Sequence, residues 1–261
     1  MKAREIIAAI EEFAPLPVQE SWDNSGLLIG SPEDEIRGVM IGFDCTAPLV
    51  DRAVAAGCNL IITHHPLIFG GLKSLSPEDP VGEAVMKAVR AGVDVYAAHT
   101  TADKVIAGVS GTMAERLGLE HVRILEEEPG GTGLGVVGDL KEPMGAEALL
   151  ERIRERFSAR VIRCSRPLEG LISRVALCGG SGSSLIGAAR RSGAQLYITA
   201  DVSYHHFFTP KGFMIADIGH FESECPITSI LFSLLKKKFP NFAVRMDPEI
   251  QRSNPVYYFT T

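Results

Sequence analysis

Short apolar segments alternate with amphipathic segments along most of the 261 residues, and this alternation constrains the fold more than any other feature of the sequence. Residues 38–44 (GVMIGFD) and 59–63 (NLIIT) are apolar and rich in β-branched side chains, as buried strands are. Residues 46–56 between them have the pattern of a helix. Strands that alternate with helices form parallel βαβ units, so the chain is predicted to be an α/β protein whose sheets are flanked by helices.

The same alternation continues toward the end of the chain. The further predicted elements are helix 81–91, strand 93–98, helix 102–117, strand 134–139, helix 145–157, strands 160–164 and 174–178, helix 183–192, strands 195–199 and 213–217, helix 225–238, and short strands near 242–246 and 255–259.

Two pairs of segments in the chain resemble each other. Residues 55–65 (AAGCNLIITHH) align with 191–201 (RSGAQLYITAD), and 95–103 (VYAAHTTAD) align with 215–224 (IADIGHFESE). In each pair, apolar strand residues lead to polar side chains at the strand end. The matches predict an internal duplication of one α/β unit.

The predicted halves are 1–125 and 126–261, with the C-terminal strands able to pack on the first half. The acidic and then glycine-rich segment 126–135 (EEEPGGTGLG) is the best candidate for the boundary. If the duplication is genuine, equivalent strand ends of the two halves face each other, and a site between the halves is expected.

Two consecutive histidines, His64 and His65, follow the predicted strand 59–63. Side chains alternate between the faces of a strand, so both rings reach one site only if the strand has ended before them. Pro66 favours a turn here, because it lacks a backbone N–H and biases His65 away from helix. The pair is therefore predicted at the carboxyl end of a strand, where open α/β sheets bind their ligands.

Two further histidines share a spacing with a carboxylate. His99 is followed four residues later by Asp103, and His220 is followed four residues later by Glu224. Each histidine stands at the end of a predicted strand, and each carboxylate lies at the start of the next helix. One helical turn brings positions i and i+4 onto the same face, so each pair of donors can converge.

Five residues are the candidate metal donors, with His99 in reserve. They are His64, His65, Asp103, His220 and Glu224. Three imidazoles and two carboxylates are too many for one zinc ion that keeps an open position, and they suit two divalent ions with one bridging carboxylate. Nitrogen and oxygen donors without a thiolate favour Zn, Fe, Mn, Co or Ni and do not choose among them. The alternative is that these are unrelated polar residues at strand ends.

The bulk composition argues against several classes of function. The net charge is −6 and the basic residues form no run beyond 236–238, so the chain has no electrostatic footprint for duplex DNA. No segment has the apolar length of a membrane span, and the N-terminal segment lacks the apolar core of a signal peptide. The five cysteines contain no CxxC pair, which favours reduced, mostly buried thiols. A cytoplasmic protein without a membrane partner is therefore expected.

Four motifs in a fixed order resemble a known family. They are SWDNSGLLIG, THHPLIF, HTTAD and GHFESE, and together they cover nearly the whole chain. In this the chain is similar to the Nif-three-like family, many of whose members are named GTP cyclohydrolase 1 type 2 homologues. The resemblance implies a dinuclear metal centre with the five donors above as ligands, duplicated α/β halves, and a homo-oligomer that is a hexameric ring. One departure, Thr101-Ala102 where Asn-Leu is more usual, changes the packing beside Asp103 and not the ligand.

The resemblance also implies an activity, the ring-opening hydrolysis of GTP with release of formate. Hydrolysis of another nucleotide or a phosphate ester on the same metals is an alternative, and a non-enzymatic metal-binding scaffold is another. The expected partner is a small-molecule substrate such as a nucleotide. His99 is the candidate catalytic residue, as a general acid/base with an unperturbed pKa of about 6.5 or, alternatively, a histidine with only a structural hydrogen bond.

Two other segments are weaker candidates for substrate contact. Asp23 or Asn24, in the turn-like sequence Asp-Asn-Ser-Gly, is expected to face the substrate from the family resemblance. The glycine-rich run 176–187 (ALCGGSGSSLIG) is either a phosphate-binding loop or a plain turn into a helix capped by Ser183 or Ser184.

Overall fold

The computed structural model of the protein describes residues 1–259; residues 260 and 261 of the predicted second half lie outside the described residues. In chain order the helices and strands are α1 (Ala3–Phe13), β1 (Gly26–Ile29), β2 (Val39–Ile41), α2 (Ala47–Ala55), β3 (Leu60–Thr63), α3 (Pro80–Ala91), β4 (Asp94–Ala97), α4 (Thr100–Asp103), α5 (Val109–Leu117), β5 (Leu119–Glu128), β6 (Thr132–Gly145), α6 (Ala146–Phe157), β7 (Arg163–Cys164), β8 (Leu171–Ser181), α7 (Ile186–Arg191), β9 (Leu196–Ala200), β10 (Met214–Asp217), α8 (His220–Glu224), α9 (Ile227–Lys238) and β11 (Val244–Met246). The strands form two sheets flanked by helices, which confirms the predicted α/β class.

The first of two compact units comprises Met1–Ala102 and Ile227–Pro255. Its sheet has the strand order β1-β4-β3-β2-β11, in which the last four strands are parallel and β1 is antiparallel to β4. Met40, Ile61 and Val95 on the parallel strands belong to one buried apolar cluster with α2 and α3. Because β3 and β4 are parallel neighbours, their carboxyl ends lie at the same edge of this sheet.

Local signals in the sequence explain the bounds of α3. The Asp79 side chain accepts a hydrogen bond from the backbone N–H of Gly82 at 2.7 Å and caps the first turn, which begins at Pro80. Gly92 ends the helix with φ of 61°, a left-handed conformation that glycine adopts without a steric penalty.

The second compact unit comprises Asp103–Pro226 together with residues 256–259. Its sheet has the order β5-β6-β8-β9-β10-β7, in which β8, β9 and β10 are parallel and the other pairs are antiparallel. Leu149, Ile153 and Phe157 on one face of α6 are buried in the main apolar cluster of this unit. As in the first unit, two adjacent parallel strands, here β9 and β10, end at a common edge.

The division into units differs from the predicted boundary. The segment 126–135 is a β-hairpin connection, in which Glu126 pairs with Leu134 across the antiparallel strands β5 and β6. A boundary between residues 125 and 126 would therefore cut through β5. The chain instead passes between the units at three points, which are Ala102/Asp103, Pro226/Ile227 and Pro255/Val256. The internal duplication stays a prediction.

Two predicted elements differ from the structure in more than their bounds. The helix expected over 102–117 is divided into α4 and α5, because Gly108 has a non-helical backbone and begins a new helix. The strand expected over 255–259 was wrong, since these described residues form no strand. Their aromatic and β-branched composition suits a strand, but strand formation also needs a partner edge. Over residues 1–259, no helix has the combination of length and apolar character that crossing a membrane requires.

Candidate functional site

The end of β3 brings two consecutive imidazoles to one side of the chain. After Thr63 the backbone N–H groups of His64 and His65 both donate to the carbonyl oxygen of Phe43, at 3.2 and 3.3 Å. The Thr63 hydroxyl donates to the carbonyl of His65 at 2.8 Å and holds the turn. The two imidazole centroids are consequently 4.9 Å apart. The expectation that the strand ends before the histidine pair is confirmed.

An oxygen acceptor holds the Nδ1 atom of each ring. His64 donates from Nδ1 to the carbonyl of Ala98 at 2.9 Å, and His65 donates from Nδ1 to Asp44 Oδ1 at 2.7 Å. A carbonyl accepts and never donates, so His64 must carry its proton on Nδ1, and the lone pair is then on Nε2. This is the arrangement in which histidines bind metals, with the second nitrogen oriented by a hydrogen bond.

His99 joins this pair from the end of β4. Its ring centroid lies 5.3 Å from that of His64 and 5.5 Å from that of His65. One nitrogen from each of the three rings falls within 4.8 Å of the others, close enough for a shared ion. His99 Nδ1 donates to Asp23 Oδ1 at 2.7 Å. The first unit therefore supplies three clustered imidazoles.

The carboxylate of Asp23 accepts hydrogen bonds from several neighbouring residues. Besides the one from His99, it accepts hydrogen bonds from Ser25 and from the backbone and hydroxyl of Thr100, and the Asp23 side chain is fully buried. Burial alone would raise the pKa of Asp23, but the hydrogen bonds from His99, Thr100 and Ser25 and the adjacent imidazole hold the pKa well below its usual value. Asp23 is thus a charged anchor for His99, in contrast to the expected substrate-facing role.

The second unit carries its own set of donors. His220 is the first residue of α8 and Glu224 the last, and His220 Nε2 lies 2.9 Å from Glu224 Oε2. His220 Nδ1 donates to Asp201 Oδ2 at 2.7 Å, which repeats the pattern of an oriented imidazole. Carboxylate oxygens of Asp103 and Glu224 approach within 4.8 Å. The predicted spacing of histidine and carboxylate therefore makes the two donors converge in α8.

Both sets fit divalent metal binding by their chemistry. They consist of oriented imidazoles and carboxylates without a thiolate, a donor set that suits Zn, Fe, Mn, Co or Ni. Residues 1–255 match the sequence model of the Duf34/NIF3 (NGG1p interacting factor 3) family. The chain belongs to this NIF3 family. The resemblance read from the four motifs is confirmed.

Relatives of this NIF3-family chain match it over most of its length. A Clostridium perfringens protein named GTP cyclohydrolase 1 type 2 homolog is 33% identical, over 87% of this chain and 88% of its own. One of the same name from Lactococcus lactis is 33% identical over 98% and 99% of the two chains. A Schizosaccharomyces pombe protein named Protein NIF3 homolog is 30% identical over 82% of each.

Solved structures of similar proteins have the same fold. A hypothetical protein of Staphylococcus aureus superimposes with a TM-score of 0.90 at 26% identity, covering 99% of each chain. A Bacillus cereus protein related to NIF3 also has a TM-score of 0.90, at 22% identity and with 99% of each chain covered. The two-sheet α/β architecture is therefore that of NIF3-family structures.

The glycine-rich end of β8 in this NIF3-family chain packs against a donor. Gly180 has φ of +60°, and a methyl group there would lie 2.1 Å from Glu224 Oε1. The Gly180 N–H donates to the hydroxyl of Ser223 at 3.0 Å, which ties the end of β8 to α8. The glycine signal in the sequence therefore marks a close approach to Glu224.

Two carboxylates that orient histidines were not predicted from the sequence. Asp44 accepts a hydrogen bond from His65, and Asp201 accepts one from His220, each at 2.7 Å. The sequence does contain a pattern that could have indicated both. Asp44 ends the predicted strand 38–44, and Asp201 follows β9 at the position that the internal alignment pairs with His65.

Proposed function

We propose that this NIF3-family chain is a dinuclear-metal-dependent hydrolase. The proposed ligands are His64, His65, Asp103, His220 and Glu224, and the proposed catalytic residue is His99. One observation carries the proposal and recurs in both units: an oxygen acceptor holds Nδ1 of the imidazole, which is the arrangement in which histidines bind a metal ion through Nε2.

The chain's own residues supply proton transfer. Two divalent ions, when bound, would lower the pKa of a water molecule and polarise the group under attack. His99 is only 13% exposed in its side chain, and Asp23 holds its Nδ1, so Nε2 is the atom that exchanges a proton with the substrate. The low pKa of Asp23 keeps this carboxylate charged, so it remains a hydrogen-bond acceptor for His99 Nδ1.

The substrate we infer is a nucleotide, with GTP as the first choice. Support comes from the relatives named GTP cyclohydrolase 1 type 2 homolog, three of which are 33% identical to this chain. The reaction would be hydrolytic opening of the base with release of formate. Hydrolysis of another nucleotide or a phosphate ester, and a scaffold role without turnover, are the alternatives that the experiment must separate.

The decisive experiment combines metal content with a substrate panel. Purified protein is stripped with a chelator and reconstituted in turn with Zn, Fe, Mn, Co or Ni. Bound metal is measured by elemental analysis, and formate and phosphate are measured after incubation with GTP, other nucleotides and phosphate esters. We expect two ions per chain and formate from GTP. One ion or none would refute the metal pair, release of phosphate without formate would support the alternative hydrolase, and no turnover at all would favour the scaffold.

Matched variants test the proposed ligands one at a time. His65→Ala removes a donor of the first unit, and Glu224→Gln removes one of the second. Each should lower the bound metal and the turnover. His121→Ala is the control, because this histidine on β5 is 80% exposed in its side chain and belongs to neither donor set. If either donor variant retained both ions, its place in the ligand set would be wrong.

We also propose a hexameric ring, which follows from the family resemblance. Large aromatic side chains on the second unit support an assembly, since Tyr204, Phe208 and Tyr257 are 72%, 73% and 81% exposed. Multi-angle light scattering at micromolar concentration should report six copies, and a monomer would contradict the proposal.

A further inference from the structure

Two large aromatic side chains lie exposed beside His99 in the first unit. Trp22 is 57% exposed and Phe69 is 54% exposed. Their ring centroids are 5.9 Å apart, and those of Trp22 and Phe69 lie 6.1 and 6.0 Å from that of His99. Single exposed apolar residues are common on protein surfaces, but here two aromatic rings converge on the proposed catalytic imidazole.

The backbone that carries these rings is held by buried or half-buried hydrogen bonds. Asn24 donates from its side chain to the carbonyl of Ile68 at 2.5 Å, which ties the Trp22 turn to the residue before Phe69. Asp23, next to Trp22, is anchored to His99 as described above. The backbone beneath the exposed rings is thus already ordered. Fixing the two side chains when a ligand binds therefore costs little conformational entropy.

The geometry of the rings defines what can bind. Their planes are inclined by 36°. A ligand ring held between two parallel faces would need them roughly 7 Å apart, twice the usual carbon–carbon contact distance. At 5.9 Å the two side chains form one angled platform, on which a planar ligand stacks against one ring and contacts the edge of the other.

We propose that Trp22 and Phe69 form a stacking site for the planar heteroaromatic ring of the substrate, next to His99. This inference deepens the proposed function and rests on its assignment of His99. A purine or a similar bicyclic heterocycle has the flat π-face that such a platform binds, and base–aromatic stacking tolerates different ring substituents. The site accordingly selects a ring-bearing substrate over a simple phosphate ester.

Trp22 reports directly on this site, because it is the only tryptophan in the chain. Metal-stripped and metal-reconstituted protein are each titrated with guanosine, GTP and ribose 5-phosphate while tryptophan emission is recorded. Free N-acetyltryptophanamide is titrated in parallel to correct for light absorbed by the nucleobase. We expect guanosine and GTP to shift or quench the emission and ribose 5-phosphate to leave it unchanged.

Variants separate stacking from other roles of the surface. Phe69→Leu should weaken guanosine binding by about 10-fold, while Phe69→Tyr, which keeps the ring, should bind nearly as well as the parent chain. Trp22→Leu, measured by calorimetry, should weaken binding similarly. Phe208→Leu is the control and should keep the parental affinity for guanosine. Its ring is similarly exposed, at 73%, but it packs beside Tyr204 and His205 in the second unit.

The outcomes distinguish this inference from the proposed hydrolase. If the protein binds no metal yet guanosine still changes the Trp22 emission, the hydrolase proposal fails and the stacking site stands. If ribose 5-phosphate changes the emission as much as guanosine does, or Phe69→Leu binds guanosine with parental affinity, the stacking site is refuted. A smaller oligomer for Phe69→Leu with unchanged guanosine affinity would identify the platform as a subunit contact and likewise overturn it.

Discussion

Replacing Gly180 by alanine should displace the carboxylate of Glu224. The added methyl group would lie 2.1 Å from Glu224 Oε1, 2.9 Å from its carboxylate carbon and 3.3 Å from His220 Cε1. Real Cβ atoms essentially never approach closer than 3.0 Å, so the oxygen must retreat by about 0.9 Å. The contact cannot relax easily, because Gly180 is tied to Ser223, the neighbour of Glu224, by a hydrogen bond of 3.0 Å.

Two separate effects add up in this variant. Alanine in the left-handed conformation costs roughly 1–2 kcal/mol of folding stability, whether or not a metal is bound. The displacement acts on metal binding, because a functional site must hold its groups to within about 0.5 Å. Mutating residues that orient a metal ligand typically lowers metal affinity by about 10- to 100-fold. We expect the upper end of this range for Gly180→Ala, a loss of about 100-fold, which corresponds to about 2.8 kcal/mol.

Gly92→Ala is the matched control. Gly92 has φ of +61°, almost identical to that of Gly180, but nothing lies within 4 Å of an added methyl group. Thermal unfolding of the metal-stripped proteins should show the left-handed penalty in both variants, with a further loss of stability in Gly180→Ala from the overlap with Glu224. Competition with a fluorescent chelator should then show parental metal affinity for Gly92→Ala and weakened affinity for Gly180→Ala. Parental metal affinity in both variants would refute the assignment of Glu224 as a ligand positioned by Gly180.

Three further predictions concern catalysis, metal removal and pH. His99→Ala should keep most of the metal yet slow turnover by about 10²-fold, whereas Asp103→Ala should lose both metal and turnover. Metal content and turnover are measured on the same preparations, and equal metal loss in the two variants would make His99 a ligand. A chelator should abolish turnover, and adding metal back should restore it. Burial, with the charge of Asp34 and a hydrogen bond to it, raises the pKa of Asp94 from 3.8 to about 6. The folded protein therefore holds a proton that the unfolded chain releases, and this stabilisation is complete below 3.8 and lost as the pH rises through about 6. The free energy of unfolding of the parent chain should therefore fall by at most about 3 kcal/mol between pH 4 and pH 8 on account of Asp94, as measured by urea unfolding. Asp94→Asn should remove this fall, and an unchanged pH dependence in the variant would contradict the prediction.

Local patterns in the sequence determined the class of fold and the positions of the candidate donors. The apolar run before His64 and the proline after His65 predict a strand that ends at Thr63, as β3 does. The α/β class follows from the same short-range alternation, because the side-chain periods of strand and helix are properties of neighbouring residues. The spacing of His220 and Glu224 likewise predicts their convergence within a single helical turn.

Only the tertiary structure decided which distant residues support these donors. Asp23 reaches His99 from 76 residues away, and Gly180 approaches Glu224 from a different element of the fold. The acidic, glycine-rich segment 126–135 was predicted as a domain boundary but connects two strands of one sheet. A local sequence reveals that a chain turns, caps a helix or leaves a strand. It does not reveal what the turn packs against, because hydrogen bonds and close approaches between separate elements arise when the whole core assembles.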